Sequence, residues 1–297
     1  MEARRHRALA TLVTTASTLS LTMVFTQAVL AAPTVVPMAG ERFLTPAERV
    51  AAVSGMTPEE RQTVGQLLSD GAPGLVVAYA RREFTVFEGP DGTRTVEPVG
   101  VLAESPTGAL SVPIQPVAAS TSMTKPGTNL FISLAVVKTR STSPYEWQVY
   151  EWAQWGTNGS YSPAGMDCCN NDQDSFGVAW AGGLALYSDT KSGRYQSWCS
   201  GEPALNIARS DIRNNVGVGH SFNEWWDPDN CPMYYAQADN RIRESTWQNR
   251  ISNVNMKYFH TWSSFDYTLT FSAMGPSVTI SPTTSTWSAN LYLSFSH

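Results

Sequence analysis

The closing part of the chain alternates with a period of two. Tyr267, Leu269 and Phe271 interleave with Thr268, Thr270 and Ser272, and Val278 and Ile280 follow Gly275-Pro276. Trp287, Ala289, Leu291, Leu293 and Phe295 then interleave with Ser288, Asn290, Tyr292, Ser294 and Ser296. Successive side chains of a strand point to opposite faces, so this spacing describes antiparallel strands with one apolar and one wet face. Leu130, Ile132, Leu134 and Val136 repeat the pattern, as do Phe176, Val178 and Trp180, while Glu146–Trp155 is aromatic at both parities. No helical period of useful length appears after Gly127. Residues 128–297 are therefore expected to form a disulfide-linked antiparallel β-sandwich, which makes the chain mainly β.

The residues before 128 are of another kind. Arg4, Arg5 and Arg7 precede an uncharged run from Ala8 to Leu30, and Val29-Leu30-Ala31 offers small residues before a cut. Residues 1–31 thus read as a secretory signal peptide, and the mature protein as secreted, with no later stretch able to span a membrane as a helix. Residues 32–100 read as a small α+β segment, with a cleavable pro-region as an alternative. Thr45-Pro46-Ala47-Glu48 and Thr57-Pro58-Glu59-Glu60 each place a capping Thr, a first-turn Pro and a Glu as a helix start needs them. Strands are expected at Leu75–Tyr79, Phe84–Phe87 and Thr93–Val96, the last ended by Pro98. Residues 101–127, rich in Pro, Ser and Thr, read as a linker.

Export decides how the four cysteines are read. Outside the cytosol they are expected to form two disulfides, Cys168 and Cys169 each joined to one of Cys199 and Cys231. A direct Cys168–Cys169 bridge would close a strained small ring. A four-thiolate zinc site lacks its paired Cys-x-x-Cys knuckles. Either pairing ties the acidic loop Asp167, Asn170, Asp172 and Asp174 to Asp227 and Asp229, because a disulfide holds its Cα atoms within about 4.4–6.8 Å. Asn170, Asp172 and Asp174 alternate as calcium ligands do, but Ser175 and Ala181 stand where an EF-hand needs Gly and Glu. The candidate metal ligands are therefore these six residues, with Ca2+ as the cofactor considered, against a hydrated polar loop cluster.

Charge and composition narrow the function. The net charge is −5 and there are only four lysines, so nucleic acid and anionic membrane lack the dense positive face they need. Arginine outnumbers lysine strongly, which suggests a GC-rich bacterial source. No phosphate loop, dinucleotide fingerprint or His-Glu-x-x-His is present. His220 and Ser221 are neighbours on an expected strand and so face opposite ways, which argues against a Ser–His pair. His260 is read as making a structural hydrogen bond. Ten tryptophans fall between Trp147 and Trp287. Trp152, Trp155, Trp225 and Trp226, beside Asn, Gln and Asp, are the candidates for stacking on sugar rings, with core packing as the alternative. The first reading is a secreted binding protein for carbohydrate or a cell-envelope polymer. The alternative is a hydrolase of glycosidase type using paired carboxylates among Glu146, Glu151 and Glu224. The third is a membrane-acting β-protein or an interaction protein, the former because the Ser/Thr-versus-apolar alternation also suits a membrane barrel strand.

Overall fold

The computed structural model describes residues 46–54, 56–68, 75–88, 94–104, 128–156, 173–181, 183–195, 204–226, 231–248, 251–261, 267–272, 275–280 and 286–296. Two antiparallel sheets face each other across one apolar core. The first runs β2 (Arg94–Glu104), β1 (Leu75–Glu88), β3 (Thr128–Arg140), β4 (Tyr145–Trp155), β10 (Cys231–Glu244), β6 (Ala185–Tyr195), with the short β9 (Trp225–Trp226) paired to β10. The second runs β14 (Thr286–Ser296), β11 (Ile251–Thr261), β5 (Gln173–Trp180), β8 (Gly217–Asn223), β7 (Ala208–Arg213). The mainly-β sandwich expected from the alternation is what the chain forms. Leu130, Ile132, Leu134 and Val136 meet Phe176, Val178, Val254, Met256, Leu291 and Leu293 in the core, the very parities that the sequence marks as apolar.

Of the residues before 128, β1 and β2 pair into the first sheet. β1 pairs along β3 from Leu75↔Lys138 to Val86↔Thr128, so it is an inner strand of the first sheet. It continues through Arg81-Arg82-Glu83 where two shorter strands are expected. β2 runs past Pro98, which stands opposite Phe84 beside a register shift. A proline can sit there because β2 is an edge strand and its lost N–H faces no partner. The helices are α1 (Pro46–Ser54) and α2 (Pro58–Leu68). Thr57 caps α2, its Oγ1 accepting from the Glu60 N–H at 3.2 Å.

α2 covers the outer face of the first sheet. Val64 and Leu68 pack with Val76, Tyr79, Ala135, Val137, Tyr150 and Trp152 in a second core. That layer explains why β4 is aromatic at both parities: both of its faces are buried. Glu60, whose side chain would close a capping box, turns instead to Arg81, which donates Nε–H to it at 2.9 Å with both groups about fully buried. Ser133 also donates to Glu60.

Two glycines shape β6 and its approach. Gly183 lies where the chain crosses from the second sheet to the first, and it takes φ 81°. Lys191-Ser192-Gly193 lies inside β6 against Lys191↔Ala238 and Gly193↔Ala236. Gly193 is required there, since a Cβ would stand 2.6 Å from the Tyr235 carbonyl oxygen.

Between β11 and β14 comes a two-stranded ribbon, β12 (Tyr267–Ser272) with β13 (Gly275–Ile280), paired to no other strand among the described residues. β13 lies against β11 and β5, and β12 against β7. No helix among the described residues is long and apolar enough to cross a membrane.

Candidate functional site

Two regions gather the chemistry. One is a buried cluster where β5, β8 and β11 approach their ends. β5 enters at Gln173, opposite Asn223 of β8, so the start of β5 and the end of β8 adjoin at the backbone. Asp174 Oδ1 lies 2.8 Å from His260 Nδ1, and Glu224 Oε2 lies 3.3 Å from the same nitrogen. Asp174 and Glu224 are wholly buried and His260 is 1% exposed. Tyr258 donates its phenol to Asp174 Oδ2 and accepts from Trp155 Nε1–H at 2.8 Å. Burial first, then the Asp174 and Glu224 charges, hold the Tyr258 phenol protonated well above its ordinary range, so it stays a donor.

This cluster is the one group of three or more His, Cys, Asp or Glu among the described residues able to share a cation, with ligand atoms within 4.8 Å of one another. An imidazole with carboxylates suits zinc or another transition metal better than calcium. Both oxygens of Asp174 already accept hydrogen bonds within the protein. His260 thus makes the structural hydrogen bond expected of it.

Deeper in the sandwich lies a second polar set. Asn240 of β10 donates to Glu151 of β4 at 2.5 Å, and both side chains are fully buried. Burial, only partly offset by that bond, raises the Glu151 pKa well above the usual carboxylate range. Across the core His220 is also fully buried, tilted against the Phe176 ring at 5.2 Å, with no hydrogen bond to either ring nitrogen. Its pKa is pushed down to about 3, by burial first and then by Lys191, with Asn240 pulling the other way and Arg209 adding to the fall. His220 points inward and Ser221 does not, as strand alternation requires.

The sequence-derived candidates distribute as follows. Asp174 enters the cluster, joined by Glu224, His260 and Tyr258, which no spacing rule brings to it. Trp152 and Trp155 are each 1% exposed: Trp152 stacks on Tyr235 at 4.5 Å under the helical layer, and Trp155 packs edge-on to Tyr258 at 6.0 Å. Neither offers a face for a sugar, because the sheet carrying them is covered on both sides. Glu151 and Glu224 are likewise sealed from any substrate, and Glu146 is engaged by Tyr187 at 3.3 Å and Arg140 at 3.8 Å. The side chains of Trp225 and Trp226 lie outside the described residues, as do Asp167, Asn170, Asp172, Asp227, Asp229, Cys168, Cys169 and Cys199. Cys231 is described only by its backbone, which pairs with Trp226.

The second region is the ribbon. Its register sets Tyr267 opposite Ile280, Leu269 opposite Val278 and Phe271 opposite Pro276. The alternate pairs are Thr268 with Thr279, Thr270 with Ser277 and Ser272 with Gly275. In this register every apolar residue is paired with an apolar one, and every hydroxyl residue with a hydroxyl residue or glycine.

No family model matches this chain, and no curated protein does. Among solved structures, similar ones include a chain titled "Pore forming protein", 5% identical with a TM-score of 0.31, over 57% of this chain and 87% of that one. Clostridium perfringens delta-toxin is 4% identical with a TM-score of 0.30, over 57% and 85%. The Clostridium perfringens NetB toxin in its membrane-inserted form is 8% identical with a TM-score of 0.25, over 73% and 96%. Likeness at these TM-scores is below what a shared fold requires, and function has to be read from the chain's own geometry.

Proposed function

We propose that this chain is a membrane-acting β-protein and that the β12–β13 ribbon is the segment that enters lipid. The observation that carries the reading is the register: through all six pairs apolar opposes apolar, and hydroxyl opposes hydroxyl or glycine. A strand that faces hydrocarbon on one side and water on the other needs that division at every rung. From 262 to 285 the single charged residue is Asp266.

The resting contact also suits a segment that leaves. β13 lies against β5 and β11. The outward positions of β5 and its partner β8 are Ser175↔Ser221, Gly177↔Gly219 and Ala179↔Gly217. Small residues bury little apolar area, and stabilisation by burial scales with that area. Freeing the ribbon therefore costs less than peeling off a strand such as β14, whose Leu291 and Leu293 reach the core. A target membrane outside the producing cell fits the export leader read in residues 1–31.

Release of a trapped dye from liposomes tests the reading. Wild-type protein is expected to release dye. Leu269→Lys and Val278→Lys are expected to abolish release, since lysine on a lipid-facing strand position costs about 2–4 kcal/mol at mid-membrane. Thr270→Lys and Thr279→Lys, one residue away, are expected to retain it. No release by the wild type, or equal loss at both sets of positions, sinks the proposal.

A further inference from the structure

Three strand ends of the second sheet each bring one metal-ligating side chain to the same point. Asp174 stands next to the first residue of β5, His260 next to the last residue of β11, and Glu224 follows the last residue of β8. The register assembles them, since Phe259 stands opposite Ser175 and Asn223 opposite Gln173. All three side chains are buried.

Two carboxylates address one nitrogen. His260 Nδ1 has Asp174 Oδ1 at 2.8 Å and Glu224 Oε2 at 3.3 Å. That nitrogen carries either one proton or one lone pair, directed along a single line, so a hydrogen bond accounts well for one oxygen but not for both. A metal accounts for both. Zinc bonds to nitrogen and oxygen run about 2.0–2.1 Å, which spaces neighbouring ligand atoms about 2.9–3.4 Å apart between octahedral and tetrahedral angles. The two contacts lie close to that spacing, and all three ligand atoms are within 4.8 Å of one another. Charge agrees, since two carboxylates and a ligating, neutral imidazole leave a dication with no net charge.

The ligands are oriented from behind. Tyr258 donates its phenol to Asp174 Oδ2, so Oδ1 is the oxygen turned to His260. Trp155 Nε1–H donates to that phenol oxygen at 2.8 Å, and its ring meets the His260 ring edge-on at 5.8 Å. Glu224 is fixed through its own backbone, its carbonyl accepting the Met233 N–H at 2.7 Å. Partners bonded to the far side of a ligand hold it in place for a metal. Contacts that the carboxylates already make do not exclude one, because each carboxylate has about four lone-pair sites.

We infer that Asp174, Glu224 and His260 bind a zinc-class dication, which fastens the ends of β5, β8 and β11 to one another. Calcium suits the cluster less, because it takes about six to eight oxygens and one ligand here is a nitrogen. The inference uses no residue of the ribbon and is independent of the membrane reading.

Calorimetric titration of the chelator-treated full chain with zinc, calcium and magnesium tests it. Zinc is expected to bind, and to raise the melting temperature by about 5 °C or more at about one hundred times its Kd. Calcium and magnesium are expected to bind at least about tenfold more weakly. Tyr258→Phe keeps the ring and removes only the donor to Asp174, and it is expected to weaken zinc about tenfold. Glu224→Gln and His260→Gln, which remove ligands, are expected to weaken it further. Cobalt in place of zinc reads the ligands in the wild type, and its spectrum is expected to lack the intense near-ultraviolet band of a cobalt–thiolate bond. That spectrum and the Tyr258→Phe affinity decide the matter should the ligand variants fail to fold. No zinc binding, calcium binding as tightly as zinc, undiminished zinc binding in Tyr258→Phe or in folded Glu224→Gln or His260→Gln, or a thiolate band that places the metal on cysteines each overturns the assignment.

Discussion

Substituting leucine for His220 removes a buried base whose two ring nitrogens have no hydrogen-bond partner. At neutral pH the substitution is expected to be neutral or stabilising, because an unpaired buried polar group costs about 1–3 kcal/mol. Its signature is the pH dependence. The ordinary His value is 6.5 and the folded value is about 3, so below pH 6.5 the unfolded chain takes up a proton that the folded chain refuses. The wild type thus loses stability as pH falls through that window, by about 1.4 kcal/mol per unit at most, or about 2 kcal/mol between pH 6.5 and 4.5. Glu151 acts in the opposite sense. Its folded pKa is raised above the ordinary 4.5, so the folded chain holds a proton that the unfolded chain releases, and stability falls as pH rises above 4.5. Between pH 4.5 and 6.5 the two contributions oppose each other. His220→Leu leaves the Glu151 slope alone, so its stability relative to wild type should grow as pH falls. Glu151→Gln leaves the His220 slope alone, so its stability relative to wild type should shrink as pH falls. Urea denaturation followed by tryptophan fluorescence at half-unit pH steps measures both differences. A difference between His220→Leu and wild type that stays flat from pH 7 to 4.5 would refute the reasoning, since His220 would then titrate as freely in the fold as in the unfolded chain.

Other perturbations probe the scaffold and the cluster. Arg81→Met should destabilise by about 3–5 kcal/mol by stranding Glu60 in the interior, and the double variant with Glu60→Gln should recover most of that loss in urea melts. Gly193→Ala should cost about 1–3 kcal/mol in the same melts, because its methyl would meet the Tyr235 carbonyl and Leu205. Asp174→Asn should lower the calorimetric melting temperature by several degrees through loss of the His260 and Tyr258 contacts, and abolish any rise that zinc or calcium gives the wild type after chelation.

How much of this was legible beforehand differs by element. β3, β4, β5 and β14 could be read from their parity, because a half-buried strand writes its two faces into alternate residues. α2 could be read from Thr57-Pro58-Glu59-Glu60, a local device that needs nothing distant. β7 and β10 were missed, for their charged residues, such as Arg209 to Arg213 and Asp239 to Arg243, blur the alternation. The cluster was legible at one member. Asp174 stood out among spaced acids, but Glu224, Tyr258 and His260 reach it only through the pairing of β5 with β8 and β11.

The sequence by itself determined the class of fold and the amphipathic ribbon, since alternation and turn chemistry act between near neighbours along the chain. Tertiary structure alone decided which polar groups share a site. Trp152 and Trp155 look like exposed sugar platforms until α2 and the facing sheet bury them. Glu151, His220 and Asn240 look like surface groups until the sandwich closes over them. Their surroundings come from strands that are distant in sequence, and burial, charge balance and pKa are properties of those surroundings.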